Sequence, residues 1–464
     1  MVDLVILGGG ISGLATAYAT QEMAEEEGLK LKLTLIEKEA RLGGKIMSVR
    51  EKGFLCEAGP AGFLDNKPET LKFAGDLNLT TLPSKEAAKK RFIFTNRRLR
   101  RVPESPVTFL KSDILSLKGR LRVLLEPFTK PTQKEDETIA DFATRHLGKE
   151  AQEKLISSMV VGIFAGDSEN LSLKSCFPVM VELEKEGGGS LIKAMFKRMK
   201  MAKKDSKVKA SPTGNLTSFK DGVESLTDTL SRALEAQILT GRSVETIKKR
   251  DGPGYEVFLE GEKTPIVADV LILALPAYAA ADVIKGVDER LSRVLAGIPY
   301  APASVVCLGY RKEDVPHSLD GFGFLIPKKE GRRILGCRWD SSTFDYRAPP
   351  EHVLLWAIVG GAIKPDLALL EDEVILKLVK EELREIIGVS KDPAFIKIFR
   401  HEKAIPQYVV GHSARLEEIE RLLEGYPGLF ITGNAFRGVG INDCTRNAPI
   451  VARKVINYVK GLKS

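Results

Sequence analysis

A short apolar run, Val5-Ile6-Leu7, passes directly into Gly8-Gly9-Gly10-Ile11-Ser12-Gly13, a Gly-x-Gly-x-x-Gly turn. No other feature limits the folding of this chain as much. A turn of this kind calls for a strand before it and a helix after it, with backbone N–H groups aimed at a phosphate. Gly8 allows the sharp turn, Gly10 leaves room for a pyrophosphate against bare backbone, and Gly13 lets the helix pack closely on the strand. Ile11 and Ser12 stand at the N-terminus of that helix, which spans residues 14–27. Lys32–Ile36 reads as the next strand and ends at Glu37, 24 residues after Gly13. A carboxylate there can accept from both hydroxyls of a ribose and would repel a 2′-phosphate.

The next residues choose between a nicotinamide and a flavin dinucleotide. Glu37-Lys38-Glu39-Ala40-Arg41-Leu42-Gly43-Gly44-Lys45 follows the second strand without a break. A simple dehydrogenase has no need of an Arg-x-Gly-Gly-Lys turn here. FAD does, because it must be carried from the ribose to an isoalloxazine held far from the adenine. The two cations Arg41 and Lys45 beside Gly43 and Gly44 suit phosphates and the flavin edge. Glu57-Ala58-Gly59-Pro60 offers a further tight turn near the flavin. At the other end of the chain, Leu429–Thr432 reads as a strand closing on Gly433-Asn434. Gly438-Val439-Gly440-Ile441 then leads to a helix over about 444–460, with Asn442 or Asp443 as its cap. A helix N-terminus aimed at the flavin would stabilise negative charge on the reduced ring.

At 464 residues the chain is long enough for two or three domains. Its five cysteines are scattered and form no Cys-x-x-Cys, and its five histidines form no cluster, so neither disulfides nor a metal site is expected. No apolar run is long enough to span a bilayer and none reads as a signal peptide, which points to the cytoplasm. The net charge of +8 is local. Residues 85–101 hold eight Lys/Arg against Glu86, residues 197–209 hold seven against Asp205, and the remainder is net acidic. Solvated loops, an anionic membrane surface and an acidic substrate all fit such clusters. Residues 197–209 read best as a solvated loop, and Phe92-Ile93-Phe94 within the first cluster reads as a buried strand. No nucleic-acid reader motif accompanies the charge.

The fold class that follows is α/β with an α+β substrate part. A discontinuous Rossmann-like FAD-binding domain is expected over 1–75, 216–276 and 396–464. A helical insertion domain is expected over 76–215, and a mixed-sheet substrate domain over 277–395. The apolar run Val270–Leu275, stopped by Pro276, is the kind of strand that is covered on both faces.

These segments resemble the protoporphyrinogen/coproporphyrinogen oxidase family, within the FAD-dependent amine oxidases. The superfamily likeness rests on the glycine turn, Glu37, Arg41-x-Gly43-Gly44-Lys45 and the C-terminal turn. The family likeness rests on Val161–Asp167, Leu171–Pro178, Ala404–His412 and Gly438-Val439-Gly440-Ile441-x-Asp443-Cys444. The resemblance implies oxidation of a porphyrinogen to a porphyrin in haem biosynthesis, removing six electrons, with molecular oxygen as acceptor and peroxide as product. By the same resemblance Arg91 anchors a substrate propionate and the Gly162 carbonyl faces the macrocycle. Leu325 and Trp339 pack on pyrrole rings, and the Val244 backbone reads adenine. The helical domain of many members touches a membrane, which leaves peripheral contact with the inner face of the cell membrane open. A monomer and a homodimer both fit. No covalent-flavin motif is present, so FAD is expected to bind noncovalently.

Protoporphyrinogen IX is the favoured substrate. Coproporphyrinogen III, with four carboxylates, is the alternative that the cations of 85–101 would suit. An amine oxidase or a carotenoid desaturase would share the FAD frame, and a flavin-stabilised scaffold binding acidic partners is the non-catalytic reading.

Overall fold

A computed structural model describes residues 1–202 and 214–462. The chain opens with β1 (Val2–Leu7), α1 (Ile11–Glu26) and β2 (Leu31–Ile36). The hairpin strands β3 (Arg91–Thr95) and β4 (Arg98–Arg101) precede a helical stretch containing α2 (Ser157–Phe164) and α3 (Leu191–Ala202). Next come β5 (Ala236–Leu239), β6 (Val270–Leu273), β7 (Tyr300–Arg311), β8 (Gly323–Leu325), β9 (Ile334–Trp339) and β10 (His352–Gly360). The elements that frame the site end with α4 (Asp372–Ile387), β11 (Phe395–Pro406), β12 (Leu429–Ile431) and α5 (Ile441–Gly461).

Two sheets organise the chain. The first is parallel throughout, in the order β5-β2-β1-β6-β12. Its central strands are almost wholly apolar because helices cover both faces. On one face α1 packs against Ala448, Ala452, Val455 and Val459 of α5. The small residues Gly13, Ala15, Ala17 and Ala19 leave α1 slim enough to be buried along most of its length.

The second sheet has the order β11-β7-β10-β9-β8-β3-β4, antiparallel except for the β8–β3 pair. One face packs on Ile375, Leu378, Val379 and Leu383 of α4, and the other turns toward α2. This sheet departs from the expected boundaries. It takes 91–101 from the stretch read as helical and 396–406 from a stretch read as FAD-binding. Strand β3 pairs with residues 323–325, so its partner lies far down the chain where no local pattern can show it.

The helical stretch has its own small core around Ile139, Phe142, Val160 and Phe164. Glu126 accepts from the N–H groups of Leu191 (2.6 Å) and Ile192 (3.2 Å) at the start of α3 and from the Ser190 hydroxyl (2.8 Å). A wide π turn over Gln152–Ile156 leads into α2, and Ala165, left-handed at φ 46°, ends it. Several large apolar side chains of this stretch face outward, among them Leu117, Leu121, Leu124, Phe128, Phe196 and Met199. Among the described residues no helix is long and apolar enough to cross a membrane. Lys197, Arg198 and Lys200 lie on α3 rather than in a loop, while Lys203, Lys204, Lys207 and Lys209 lie outside the described residues.

Candidate active site

The glycine turn sits at the C-terminal end of β1, beside the end of β6. A Cβ on Gly8 (φ +106°) would stand 2.6 Å from the Ala274 carbonyl oxygen, and one on Gly13 only 1.9 Å from the Gly8 carbonyl oxygen. Neither position admits a side chain. Gly10 caps α1 without a side-chain bond, so the first N–H groups of the helix, at Ile11, Ser12 and Gly13, remain available to an anion. Glu37 is buried at the end of β2. Its Oε2 accepts the Gly9 N–H at 2.7 Å and its Oε1 accepts the Glu39 N–H at 2.9 Å. Each oxygen keeps a lone pair for a ribose hydroxyl. Lys38 is exposed and pairs with Glu39 at 3.4 Å.

The Arg41–Lys45 turn docks on this cradle through Gly43 N–H to the Gly9 carbonyl, 2.8 Å, and Gly44 lies against Gly10. Arg41, the phosphate cation that the sequence suggests, is tied into its own turn. Its guanidinium donates to the carbonyls of Leu42 (2.8 Å) and Ile46 (3.0 Å) and pairs with Glu224 at 3.2 Å, so it braces the turn from within. Lys45 reaches the second sheet, where its ammonium donates to the Lys403 carbonyl at 2.7 Å and to that of Ala404. Burial pushes its pKa down to about 8.

The Glu57–Pro60 turn is held from below. The Glu57 carboxylate meets Arg347 at 2.7 Å with both side chains fully buried. It also accepts the Val223 N–H at 3.1 Å. The Trp356 indole donates to the Glu57 carbonyl at 2.8 Å, and His401 Nε2 lies 2.9 Å from the Ala58 carbonyl. Gly59 has no Cβ to collide with the Lys45 carbonyl, which would be 2.8 Å away. Pro60 is exposed beside it.

Gly433 (φ +143°) and Asn434 follow β12, and Val439 and Gly440 precede α5, which starts at Ile441. Gly440 is the N-cap in place of Asn442 or Asp443. The Asp443 carboxylate, in the first turn, accepts the Gly440 N–H at 3.2 Å and pairs with Lys67. Val244, half-buried at the start of a strand paired with Leu259, packs on the core of Leu7 and Ile36, two residues beyond Arg242, whose N–H donates to the Glu37 carbonyl at 3.0 Å.

Cross-strand partners share a face, so the register of the second sheet sorts its residues. Arg91 and Arg338 both flank Gly323, while Ile93 and Gly336 flank Leu325. Trp356 and Ile358 of β10 continue the same face. Gly162 on α2 approaches this face so closely that a Cβ would be 2.7 Å from Leu325 Cδ1. Arg91 is exposed, 5.6 Å from the Phe322 ring, with no carboxylate within ion-pair distance among the described residues. Arg91, Leu325 and Gly162 are thus brought to one side of the sheet.

Trp339 is not with them, and the expectation that it packs on a pyrrole ring fails. It is 0% exposed and lies against Phe92, His317 and Phe324 on the α4 side. Side chains alternate along a strand, so a shift of one residue reverses the face. Its neighbour Arg338 points the other way, bound to Asp340 and stacked 4.2 Å from the Trp356 ring centre.

Sequence reasoning also missed Trp356, His401 and Tyr408, which hold the Glu57–Pro60 turn and the turn between β12 and α5. Only Tyr408 carried a signal, as part of the Ala404–His412 segment.

The pattern of the flavin containing amine oxidoreductases matches residues 11–456. Coproporphyrinogen III oxidase of Bacillus subtilis (strain 168) is 31% identical over 98% of this chain and 98% of its own length. Chloroplastic protoporphyrinogen oxidase of Oryza sativa subsp. japonica is 31% identical over 98% of this chain and 88% of its own. A solved structure from Exiguobacterium sp. 255-15 superposes with a TM-score of 0.82 at 27% identity, covering 98% of each chain. Glycine cradle, acidic strand end and paired sheets therefore have a common source: the chain belongs to the flavin containing amine oxidoreductases, within the protoporphyrinogen/coproporphyrinogen oxidase family.

Proposed function

We propose that this flavin-dependent oxidoreductase converts a porphyrinogen to a porphyrin in haem biosynthesis, using noncovalent FAD and molecular oxygen. The observation that carries the reading is Arg91, an unpaired guanidinium on the sheet face that presents Leu325 to Gly162. An apolar wall with an unpaired cation at its rim suits a flat apolar macrocycle with propionate arms. The full-length relatives named for coproporphyrinogen III and protoporphyrinogen support the same substrate class.

When bound, FAD supplies the electron acceptor for the substrate's three two-electron oxidations. The chain's residues would do the rest. Glu37 holds the ribose, and the free N–H groups of α1 hold the diphosphate. Arg91 draws in a propionate, and the Leu325 side of the sheet excludes water from the macrocycle. Gly162 lies in the last turn of α2, where helix carbonyls lack an intrahelical donor. The Val161, Phe164 and Ala165 carbonyls are taken up by Ala165 N–H, Gln407 and Ala362 N–H. Among the described residues the Gly162 and Ile163 carbonyls are left without such a donor, and that of Gly162, on the side of α2 facing Leu325, would accept a pyrrole N–H and fix the ring's orientation, which matters more here than a strong base.

The charge count favours protoporphyrinogen IX. Of the eight cations in 85–101, Lys85, Lys89, Lys90, Arg100 and Arg101 each pair with a carboxylate of this chain. The surplus that would suit a tetracarboxylate is therefore small. The outward apolar side chains of the helical stretch, with Lys118, Lys193, Lys197 and Lys200 among them, suit peripheral contact with the inner face of the cell membrane. Sedimentation with phosphatidylglycerol vesicles tests that contact, and protein left in the supernatant removes it.

Protoporphyrinogen IX and coproporphyrinogen III, offered separately under air, should develop porphyrin fluorescence, the former faster. No rise above autoxidation with either substrate overturns the assignment. Acid should release the yellow flavin into solution, and colour kept on the precipitate would mean a covalent bond.

A further inference from the structure

Lys45 and Lys403 meet at the seam between the two sheets with no carboxylate between them. Strand β11 bulges there: Ala303 pairs with His401 but Ala301 pairs with Ile405, leaving 402–404 outside the ladder. The freed carbonyls of Lys403 and Ala404 take the Lys45 ammonium. The same bulge throws the Lys403 side chain over Tyr278, its ammonium 4.2 Å from the ring centre. Tyr278 stands edge-on to Tyr300 at 5.1 Å, and Tyr300 in turn lies 5.3 Å from the Lys45 ammonium. These three contacts, with the bond from the Lys45 ammonium to the Lys403 main-chain carbonyl, close a ring. Neither ammonium has a carboxylate within ion-pair distance among the described residues. Both phenols are neutral, their pKa values raised chiefly by burial.

Neither ammonium is neutralised by a carboxylate of the described residues, and contact with an aromatic face stabilises a cation only in part. The arrangement suits an anion. Its position indicates which one. Tyr278 lies in the first turn of the helix Ala277–Ile284, which follows β6 and the Ala274 carbonyl that flanks Gly8. Lys45 directly follows Gly43 and Gly44, which lie against Gly9 and Gly10. The unneutralised pair therefore borders the crevice into which α1 points its free N–H groups.

We propose that Lys403 is a cofactor-binding residue: reaching from the substrate-side sheet, it pairs with the diphosphate of FAD, with Lys45 behind it. The inference rests on the FAD reading above and adds to it a contact from the opposite sheet. FAD would then tie the β11 bulge to the glycine turn. The charge of Lys403, rather than its packing, would supply the contact, since the side chain is exposed.

The test uses holoenzyme of the wild type, Lys403→Met, Lys403→Arg and Lys397→Met. Lys397 lies on the same strand but pairs with Glu51 at the surface. FAD dissociation constants are read from flavin fluorescence on dilution at several salt concentrations, alongside KM for the porphyrinogen. Lys403→Met should weaken FAD about tenfold and flatten the salt dependence. Lys403→Arg should stay within about threefold because it keeps the charge, and Lys397→Met should change neither quantity. An unchanged FAD constant in Lys403→Met overturns the proposal. So does an unchanged FAD constant with a raised KM, which would give Lys403 to a substrate carboxylate instead. A wild-type chain that holds no FAD would overturn the function reading itself, and this contact with it.

Discussion

The Tyr408 hydroxyl accepts the Gly438 N–H at 3.0 Å while donating to the Asn434 carbonyl, so one phenol holds both arms of the turn between β12 and α5. Tyr408 lies flat on His412, with ring centres 4.2 Å apart and planes 10° from parallel. His412 is pushed down to about 4, first by burial, and is therefore neutral at physiological pH. Its Nε2 lies 3.3 Å from the Phe436 carbonyl, so that nitrogen must carry the proton in order to donate.

Tyr408→Phe keeps the stack and removes both hydroxyl bonds, leaving the half-buried Gly438 N–H unpaired. A loss of about 1–3 kcal/mol is expected in unfolding of the apoprotein. FAD should also dissociate more readily. Denaturant titration and flavin fluorescence check the two effects, and unchanged values in both would mean that the phenol does not set the turn.

Glu37→Gln replaces two acceptors with one acceptor and one donor. The amide cannot accept from Gly9 N–H and Glu39 N–H together. FAD should bind roughly tenfold more weakly, at a cost of about 1.4 kcal/mol. Equal affinity would contradict the ribose role.

Arg91→Met should raise KM for the porphyrinogen at least about tenfold, the loss of one charge-assisted contact, and leave the FAD constant unchanged. Trp339 should behave oppositely. Trp339→Ala should cost about 3–5 kcal/mol of stability because it empties the α4-side core. Trp339→Phe should leave KM unaltered. A KM that follows Trp339 would place the substrate on the wrong side of the sheet.

Lys45 should give a pH signature of opposite sign with and without cofactor. In the unfolded chain its amine stays protonated to about 10.4, while burial lowers it to about 8 in the folded protein. Below that value both states are charged and the burial penalty is fully present. Between the two values the unfolded state holds the extra proton, so this group makes the apoprotein more stable as pH rises. FAD affinity should instead fall as pH climbs through about 8, since a neutral amine cannot pair with the diphosphate. Lys45→Met should lose both dependences. Difference titrations of the two proteins isolate the effect, and a wild-type FAD profile that is flat across that range rules it out.

The nucleotide half was legible because its signals are local. Gly8–Gly13, Glu37 and the apolar run of β6 declare their geometry within a few residues. For Arg41 only the charge is visible in sequence; its partners, the carbonyls of its own turn and Glu224, are not. Trp339 misled because pairing register, which alone decides a strand residue's face, joins segments distant in the chain. Lys403 could not be read at all: its meaning comes from a bulge that exists only when β11 is laid against β7.

The first sheet also has a consequence in time. Its opening strand is finished within seven residues, yet β12 and α5, which complete the sheet and cover α1, come from the last thirty-six residues of the chain. Synthesis runs from the N-terminus. The nascent glycine turn therefore waits, without its neighbours, while more than four hundred further residues are made. Its cofactor can be locked in only after β12 and α5 have emerged, so a product truncated before them should be colourless however much of the substrate sheet it has built.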